Sequence, residues 1–249
     1  MAFTTIAFYQ TIDEGGVYTE IDPVADEHVR VEGKAIFVPS LTRLLGYCAF
    51  LGSTASGAYL DAPSLRRTAL MYLAQIQPLT VPDIDTLPVL NPKGLVELVA
   101  TEGLKFVAKA DPATAEAHSC LVFLGDEEVG QVEGPYYAME FIPAGTVTAG
   151  KWSNLSLTPV QALPAGRYQL VGANVVSSGA IAFRFVIPGY DWRPGGICAP
   201  GLRAHVHNVF GPGTLGVWGE FEHTLLPTLQ LLSTGTSLPA KVTLWLKPA

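Results

Sequence analysis

The sequence predicts an all-β protein built from two tandem β-sandwich domains. Three observations lead to this prediction: a segment near residue 43 has a weak echo about half the chain length later, short strand patterns recur through the second half, and the composition is apolar and poor in charge. Hydrophobic residues make up 49% and charged residues 15% of the 249 residues, a balance that excludes a disordered chain. A chain of this length can hold two domains of ordinary size.

The echo joins two segments, residues 43–63 and residues 167–188. Each begins with an arginine, continues through an apolar run into a turn of small residues, and ends at a proline. Each therefore reads as two strands joined by a short turn, with the proline ending the second strand. A repeat at half the chain length favours two domains of similar design.

Strand signals are regular after about residue 104. In residues 241–247, Val242, Leu244 and Leu246 alternate with more polar positions, which is typical of a strand with one buried face. Residues 180–187 are almost wholly apolar, as expected of a strand covered on both faces. Eight strands are predicted in this half, at residues 104–108, 119–124, 136–142, 152–158, 167–176, 180–187, 225–232 and 241–247.

The first half carries weaker signals. Residues 64–77 fit a helix as well as a strand, and the sequence leaves both open. A short helix is predicted between Asn91 and Gly103, because a cap residue, a proline and a terminal glycine bracket an apolar run. The proline-rich stretch 78–92 is the predicted crossing between the domains. The predicted strands of this half are residues 4–10, 29–32, 35–38, 44–51, 58–60 and 70–77.

Eight strands in two four-stranded sheets, twice along one chain, is the layout of the jelly roll. The predicted fold is therefore two tandem eight-stranded jelly-roll sandwiches with a few short helices. Residues 1–100 form the predicted N-terminal jelly roll and residues 101–249 the C-terminal one.

Charge and cysteine content narrow the function. The net charge is −7, with the acidic residues concentrated before residue 150, and Arg66-Arg67 is the only adjacent basic pair, so sequence-specific nucleic-acid binding is not expected. Cys48, Cys120 and Cys198 are odd in number and far apart, which fits neither a disulfide framework nor a zinc motif. The first ten residues lack a secretory pattern and no apolar run is long enough to span a membrane. Folding in a reducing cytoplasm is the resulting expectation.

The long interval 189–222 lacks strand alternation and is rich in glycine and proline. It also holds large apolar side chains, which favour an ordered loop over a disordered linker. Long loops of a β-sandwich commonly mediate contacts. Intersubunit contacts are therefore predicted for Trp192, Phe210 and Trp218, since buried aromatic residues dominate the energetics of interfaces.

One pair of residues has metal-ligand spacing. His205 and His207 would share one face of a strand, and such a pair holds the metal of the cupins, which are also jelly rolls. The cupin pattern places a glutamate a few residues after the pair, whereas here the next carboxylate is Glu220. No metal, no other cofactor and no catalytic residue is predicted. A cupin-like metal enzyme using His205 and His207 stays open as an alternative.

A β-sandwich lectin is the other alternative, because Trp152, Trp192 or Trp218 could stack on a sugar if exposed.

The C-terminal half carries a family resemblance. Residues 163–172, 185–195 and 215–221, together with the closing strand pair 227–246, resemble the C-terminal part of the double jelly-roll major capsid proteins of tailless icosahedral bacterial viruses. The resemblance implies a structural protein, not an enzyme, that assembles through homotrimers of pseudo-hexagonal outline into an icosahedral shell. At this length the chain would be a compact member with short tower loops.

The same resemblance implies partners and a location. The partners would be other copies of this chain in the capsid lattice and other virion proteins such as a penton protein, with non-specific contact to the genome or an inner membrane. The protein would fold in the host cytoplasm and reside in the virion.

Overall fold

A computed structural model of the chain shows an all-β protein with antiparallel sheets and one short helix among the residues it describes. The chain divides into two compact units. The larger unit contains residues 2–5 and the described residues of 130–249, and the smaller unit contains the described residues of 6–126. The structure describes residues 2–12, 16–37, 40–52, 57–67, 72–73, 89–91, 93–109, 115–126, 130–199 and 210–249.

The larger unit is one eight-stranded sheet that curls into a half-barrel. The strands are β12 (Tyr137–Gly145), β13 (Trp152–Pro159), β14 (Arg167–Val176), β15 (Ala180–Val186), β16 (Gly195–Ile197), β17 (Gly219–Glu222), β18 (Thr228–Ser233) and β19 (Lys241–Pro248). Their order in the sheet is β16-β15-β18-β13-β12-β19-β14-β17, and every pairing within it is antiparallel.

The smaller unit holds two sheets. The elements are β1 (Phe3–Ile12, whose first three residues belong to the larger unit), β2 (Tyr18–Glu20), β3 (Val31–Glu32), β4 (Ala35–Phe37), β5 (Arg43–Phe50), β6 (Gly57–Asp61), α1 (Pro63–Arg67), β7 (Tyr72–Leu73), β8 (Val89–Leu90), β9 (Val96–Glu97), β10 (Gly103–Lys109) and β11 (Glu116–Gly125). One sheet has the order β1-β11-β5-β8, with β9 also paired to β5. The other has the order β3-β4-β10-β6-β7, with β2 also paired to β10.

The two units pair their strands in the same scheme, apart from the ladder between β12 and β13 in the larger unit. In the smaller unit β11 lies between β1 and β5, and β5 pairs β8; in the larger unit β19 lies between β12 and β14, and β14 pairs β17. Likewise β10 pairs β2 and β6, and β6 pairs β7, while β18 pairs β13 and β15, and β15 pairs β16. Chain order is kept throughout, so each strand of the larger unit has a counterpart in the smaller one, and β3, β4 and β9 are additions.

The echoing segments occupy equivalent places in this scheme. The first strand of each echo segment pairs with the last strand of its unit: β5 with β11, and β14 with β19. The second strand pairs with the last strand but one: β6 with β10, and β15 with β18. Each echo segment contains two strands as predicted, but they do not pair with each other, since β5 does not pair β6 and β14 does not pair β15. The turn after β14 carries the chain from one part of the sheet to another.

The eight strands predicted after residue 104 are all present, with bounds that differ by a few residues. Along β19, Val242, Leu244 and Leu246 are buried while the residues between them are half-buried, which confirms the predicted alternation. Strand β15 is buried over almost its whole length, as predicted from its apolar run.

For three other segments the structure differs from the prediction or lies partly outside the described residues. The helix predicted between Asn91 and Gly103 is wrong, because Val96–Glu97 pairs with β5 as strand β9. The interval 189–222 contains strands β16 and β17 rather than loop alone. The segment 64–77, left open, contains the end of α1 and strand β7, and much of the predicted crossing at 78–92 lies outside the described residues.

The predicted domain boundary at residue 100 precedes β10 and β11, which pair with β6 and β5. The smaller unit therefore continues to residue 126. Sequence pattern alone located the strands of this segment but not the strands they pair with.

Candidate functional site

Two of the three predicted interface residues lie in the core of the larger unit. Phe210 is fully buried and Trp218 is 1% exposed. The Trp218 ring packs against Phe183, with centroids 6.3 Å apart and nearly parallel planes, and against the edge of Phe3 at 5.5 Å. Both side chains pack inside the larger unit, and the interface role predicted for Phe210 and Trp218 stays a prediction.

Glycines allow Phe210 to reach this position. A Cβ added at Gly196 would lie 2.6 Å from the Phe210 ring, and one at Gly172 would lie 2.7 Å from the Phe210 carbonyl oxygen. Side chains at these two positions would push Phe210 out of the core. The spacing of glycines in the interval 189–222, which suggested a loop, thus reflects close packing over an aromatic cluster.

Trp192 is the predicted interface residue that keeps exposed surface. It is half-buried, and its ring contacts Tyr190 edge to face at 4.6 Å. Its Nε1 donates to the carbonyl oxygen of Trp218 at 3.1 Å, and the Tyr190 hydroxyl accepts from the backbone N–H of Glu220 at 3.1 Å. Because these polar atoms are bonded to the unit itself, the pair presents ring surface to solvent.

A polar row crosses three neighbouring strands of the larger unit. Arg184 of β15, Gln230 of β18 and Asn154 of β13 lie opposite one another in register. Arg184 Nε donates to Gln230 Oε1 at 2.6 Å, and Gln230 Nε2 donates to Asn154 Oδ1 at 2.8 Å. Arg184 is 2% exposed, which is unusual for an arginine. The signal in the sequence was one arginine within an otherwise apolar strand.

Arg184 also holds the start of the chain. One of its terminal nitrogens, Nη1, donates to the carbonyl oxygen of Thr5 at 3.1 Å. The Thr5 N–H donates to the carbonyl oxygen of Arg193 at 2.8 Å, and the Arg193 N–H donates to the Thr4 hydroxyl at 3.1 Å. Residues 4 and 5 are fully buried as a result. This arrangement serves packing rather than binding.

Two of the three tryptophans considered for sugar stacking are covered by other side chains of the larger unit. The guanidinium of Arg184 covers the Trp152 ring, with its carbon 4.1 Å from the ring centroid, and Trp218 lies in the core. Of the three tryptophans considered for stacking, Trp192 alone keeps ring surface without such a cover. The lectin alternative thus loses two of its three candidate residues.

A cavity of about 580 Å³ opens at one end of the larger unit. This end lies where β12 begins and where β13 and β19 finish, because these strands run antiparallel. The hydroxyl of Tyr168 donates to the carbonyl oxygen of Pro164 at 2.8 Å and fixes the loop that forms one wall. No carboxylate or basic side chain lines the cavity, whose walls are Tyr137, Met139, Gln161, Ala162, Leu163, Pro164, Ala165, Tyr168, Leu246 and Pro248.

The histidine pair of the metal hypothesis lies outside the described residues, since His205 and His207 fall within 200–209. Over the part of the chain that the structure describes, no group of three or more histidine, cysteine or acidic side chains could hold a metal ion. His118, in the smaller unit, is fully buried, and its Nδ1 accepts a hydrogen bond from the Gly52 N–H at 3.4 Å. Burial lowers the pKa of His118, although nearby Glu116 partly opposes this.

All three cysteines are buried and free. Burial raises the pKa of Cys48, Cys120 and Cys198 well above that of an exposed thiol. Such thiols are poor nucleophiles, so they act as small apolar residues of the cores.

Comparison with protein-family models, with curated proteins and with solved structures found no match in any of the three. Among the described residues no helix has the length and apolar character needed to cross a bilayer.

Proposed function

We propose that this chain is the major capsid protein of an icosahedral virus, a structural subunit that acts by self-assembly. The observation that carries the proposal is the strand scheme shared by the two units, in which eight strands of each pair in the same order. A chain with two units of the same strand scheme is a subunit in which each unit can offer a similar surface to neighbouring subunits.

Each unit fits the jelly roll, which is a sandwich of two four-stranded sheets. In the smaller unit, β1-β11-β5-β8 and β2-β10-β6-β7 are the two four-stranded sets. In the larger unit the corresponding sets are β12-β19-β14-β17 and β13-β18-β15-β16, joined by the β12–β13 ladder. This supports the interpretation of residues 43–63 and 167–188 as traces of a duplication.

The assembly follows from symmetry. Three chains around a threefold axis would place six similar units in a ring, so a homotrimer of double jelly rolls would have a pseudo-hexagonal outline. Such a trimer can tile an icosahedral shell, while a penton protein would be needed at the fivefold positions. The resemblance of the C-terminal half to double jelly-roll capsid proteins points to the same arrangement.

The composition also supports assembly. Charged residues make up 15% of the chain, which is low for the surface of a free monomer. Exposed large apolar side chains occur in both units, for example Tyr18 at 53% and Leu225 at 58% exposed. Surface of this kind is usual where proteins contact one another.

Purified protein tests the proposal directly. Light scattering and negative-stain electron microscopy over a range of protein and salt concentrations should show trimers and then closed shells or sheets of trimeric capsomers. A protein that stays monomeric at high concentration, without trimeric capsomers in any particle that contains it, would refute the capsid function.

A further inference from the structure

The cavity of the larger unit adjoins an unpaired strand edge. Strand β12 pairs β19 from Tyr137 onward, but it pairs β13 only from Phe141 to Gly145. Beyond Phe141, the β13 side of β12 receives one more bond, from the Val160 N–H to the Glu140 carbonyl oxygen at 2.9 Å. From there the loop that follows β13 diverges from β12.

The divergence leaves backbone groups of Ala138 facing the gap. Successive residues of a strand direct their N–H and C=O groups to alternate edges. Since Glu140 faces the β13 side, Ala138 faces it too, and no described residue hydrogen-bonds to it there. Ala138 is exposed, so its donor and acceptor are available to another chain.

Two cavities occupy the gap. One, of about 210 Å³, lies between Ala138, Met139 and Glu140 on β12 and Val160 and Gln161 on the loop. The apolar cavity of about 580 Å³ adjoins it, since both share Met139 and Gln161 as walls. An extended segment placed along Ala138 would therefore run beside both spaces.

Three exposed apolar side chains lie at this end of the unit. Tyr137 is 52%, Val160 53% and Leu225 58% exposed. Leu225 belongs to the turn after β17, which is tied to the loop after β13 by the bond from the His223 N–H to the Gly166 carbonyl oxygen at 3.0 Å. We call the two cavities, the strand edge at Ala138 and these exposed residues together the β12 edge surface.

We propose that the β12 edge surface binds an extended, uncharged segment of a second copy of this chain, which adds a strand beside Ala138 and places an apolar side chain in the cavity. Strand addition is an established mode of association in which main-chain bonds supply affinity and pockets supply specificity. This inference rests on the proposed self-assembly and names a contact that assembly would use.

The charge on the cavity walls indicates what kind of segment can bind there. Glu140 is the one ionised residue on the walls of these two cavities, and Lys241 pairs its carboxylate at 3.2 Å. A nucleic acid or a strongly charged peptide would find no complementary charge here. The chain itself, with 49% hydrophobic and 15% charged residues, supplies segments of the required chemistry.

Three variants test the contact by sedimentation velocity over a concentration series. Ala138→Pro removes the free N–H, Ala138→Ser keeps it as the matched control, and Ala162→Phe fills the larger cavity. Loss of the Ala138 N–H donor at a solvent-exposed strand edge should weaken association about tenfold. Filling the larger cavity should weaken association by at least as much. Ala138→Ser should associate like the unmodified protein.

Thermal unfolding of each variant separates lost association from lost folding. A photoreactive p-benzoylphenylalanine at Val160, an exposed wall residue of the smaller cavity, identifies the occupant after irradiation by mass spectrometry of the crosslinked peptides. Crosslinks between two copies of this chain would support the inference.

The two proposals fail in different ways. If the unmodified protein assembles and folded Ala138→Pro and Ala162→Phe variants assemble equally well, the β12 edge contact is refuted while self-assembly stands. Crosslinks only to a bound small molecule or to another protein would also refute the second copy as occupant. A protein that never associates refutes both.

Discussion

The guanidinium carbon of Arg184 lies 4.1 Å from the centroid of the Trp152 ring, so the two side chains stack across β18, the strand that separates β15 from β13. The same guanidinium donates to Gln230 and to the carbonyl oxygen of Thr5. One buried cation thereby joins the sheet of the larger unit to the first residues of the chain. An aromatic face and hydrogen-bonded oxygens stabilise a charge that would otherwise be costly to bury.

Replacing Arg184 with Met should destabilise the larger unit by roughly 2–4 kcal/mol, because buried acceptors lose their donor. Arg184→Lys keeps the charge but not the planar set of donors, and should give an intermediate loss. Tryptophan fluorescence during urea unfolding measures the effect. All four tryptophans, Trp152, Trp192, Trp218 and Trp245, belong to the larger unit, so this signal reports on that unit. An unchanged urea midpoint in Arg184→Met would contradict the assigned role.

Trp218→Ala should impair folding of the larger unit before it impairs assembly. Removing a fully buried indole that packs on Phe183 leaves a cavity, with an expected loss of about 3–5 kcal/mol. Trp192→Ala, at a half-buried ring, should cost the fold much less. Urea midpoints and particle yields of the two variants make the comparison. A Trp218→Ala protein that folds normally but fails to assemble would contradict this expectation and support the interface role predicted from the sequence.

The smaller unit should lose stability as the pH falls below about 6.5 because of His118. The folded state holds this histidine neutral, since burial lowers its pKa from the ordinary value of 6.5. The unfolded chain binds a proton near that value, so acid favours unfolding until the pH reaches the lowered pKa of the folded state. One proton changes the free energy of unfolding by at most about 1.4 kcal/mol per pH unit.

Alkylation of Cys48 and Cys120 at several pH values and urea concentrations reports on the smaller unit. His118→Gln should flatten the pH dependence of its unfolding between pH 7 and pH 5, after correction for the intrinsic reactivity of the thiols. His223→Gln, in the larger unit, is the matched control and should leave that dependence unchanged. An identical pH dependence in His118→Gln would show that other groups control acid sensitivity.

The three thiols should resist modification in the folded protein at pH 8. Cys48, Cys120 and Cys198 are buried, and burial raises the pKa of each. Reaction with a thiol reagent should therefore be slow without denaturant and complete in urea. Because Cys198 lies in the larger unit and the other two in the smaller, mass spectrometry can follow the opening of each unit separately. Rapid labelling of any of the three under native conditions would show that its site is open.

Most strands of the larger unit are predictable from local sequence patterns. Alternation along residues 241–247 and the apolar run at 180–187 are local patterns, and the structure has strands β19 and β15 there with the expected burial. The echo between residues 43–63 and 167–188 likewise marked strands that hold equivalent places in their units. These strands can be predicted from the sequence because side-chain polarity along a strand reflects which of its two faces is covered.

The pairing partners of these strands and the burial of particular aromatic residues depend on the tertiary structure. The capping signal at Asn91 favours a helix locally, but Val96–Glu97 pairs with β5, and ladder bonds with a distant strand override a weak local preference. Phe210 and Trp218 lie in a glycine-rich interval that resembles a loop, yet the approach of Gly172 and Gly196 encloses Phe210 and the rings of Phe3 and Phe183 pack on Trp218. The gap beside Ala138 is equally invisible in the sequence, because it exists only where two strands diverge after pairing. Contacts between residues far apart in the chain depend on how strands are ordered in a sheet, and local composition does not encode that order.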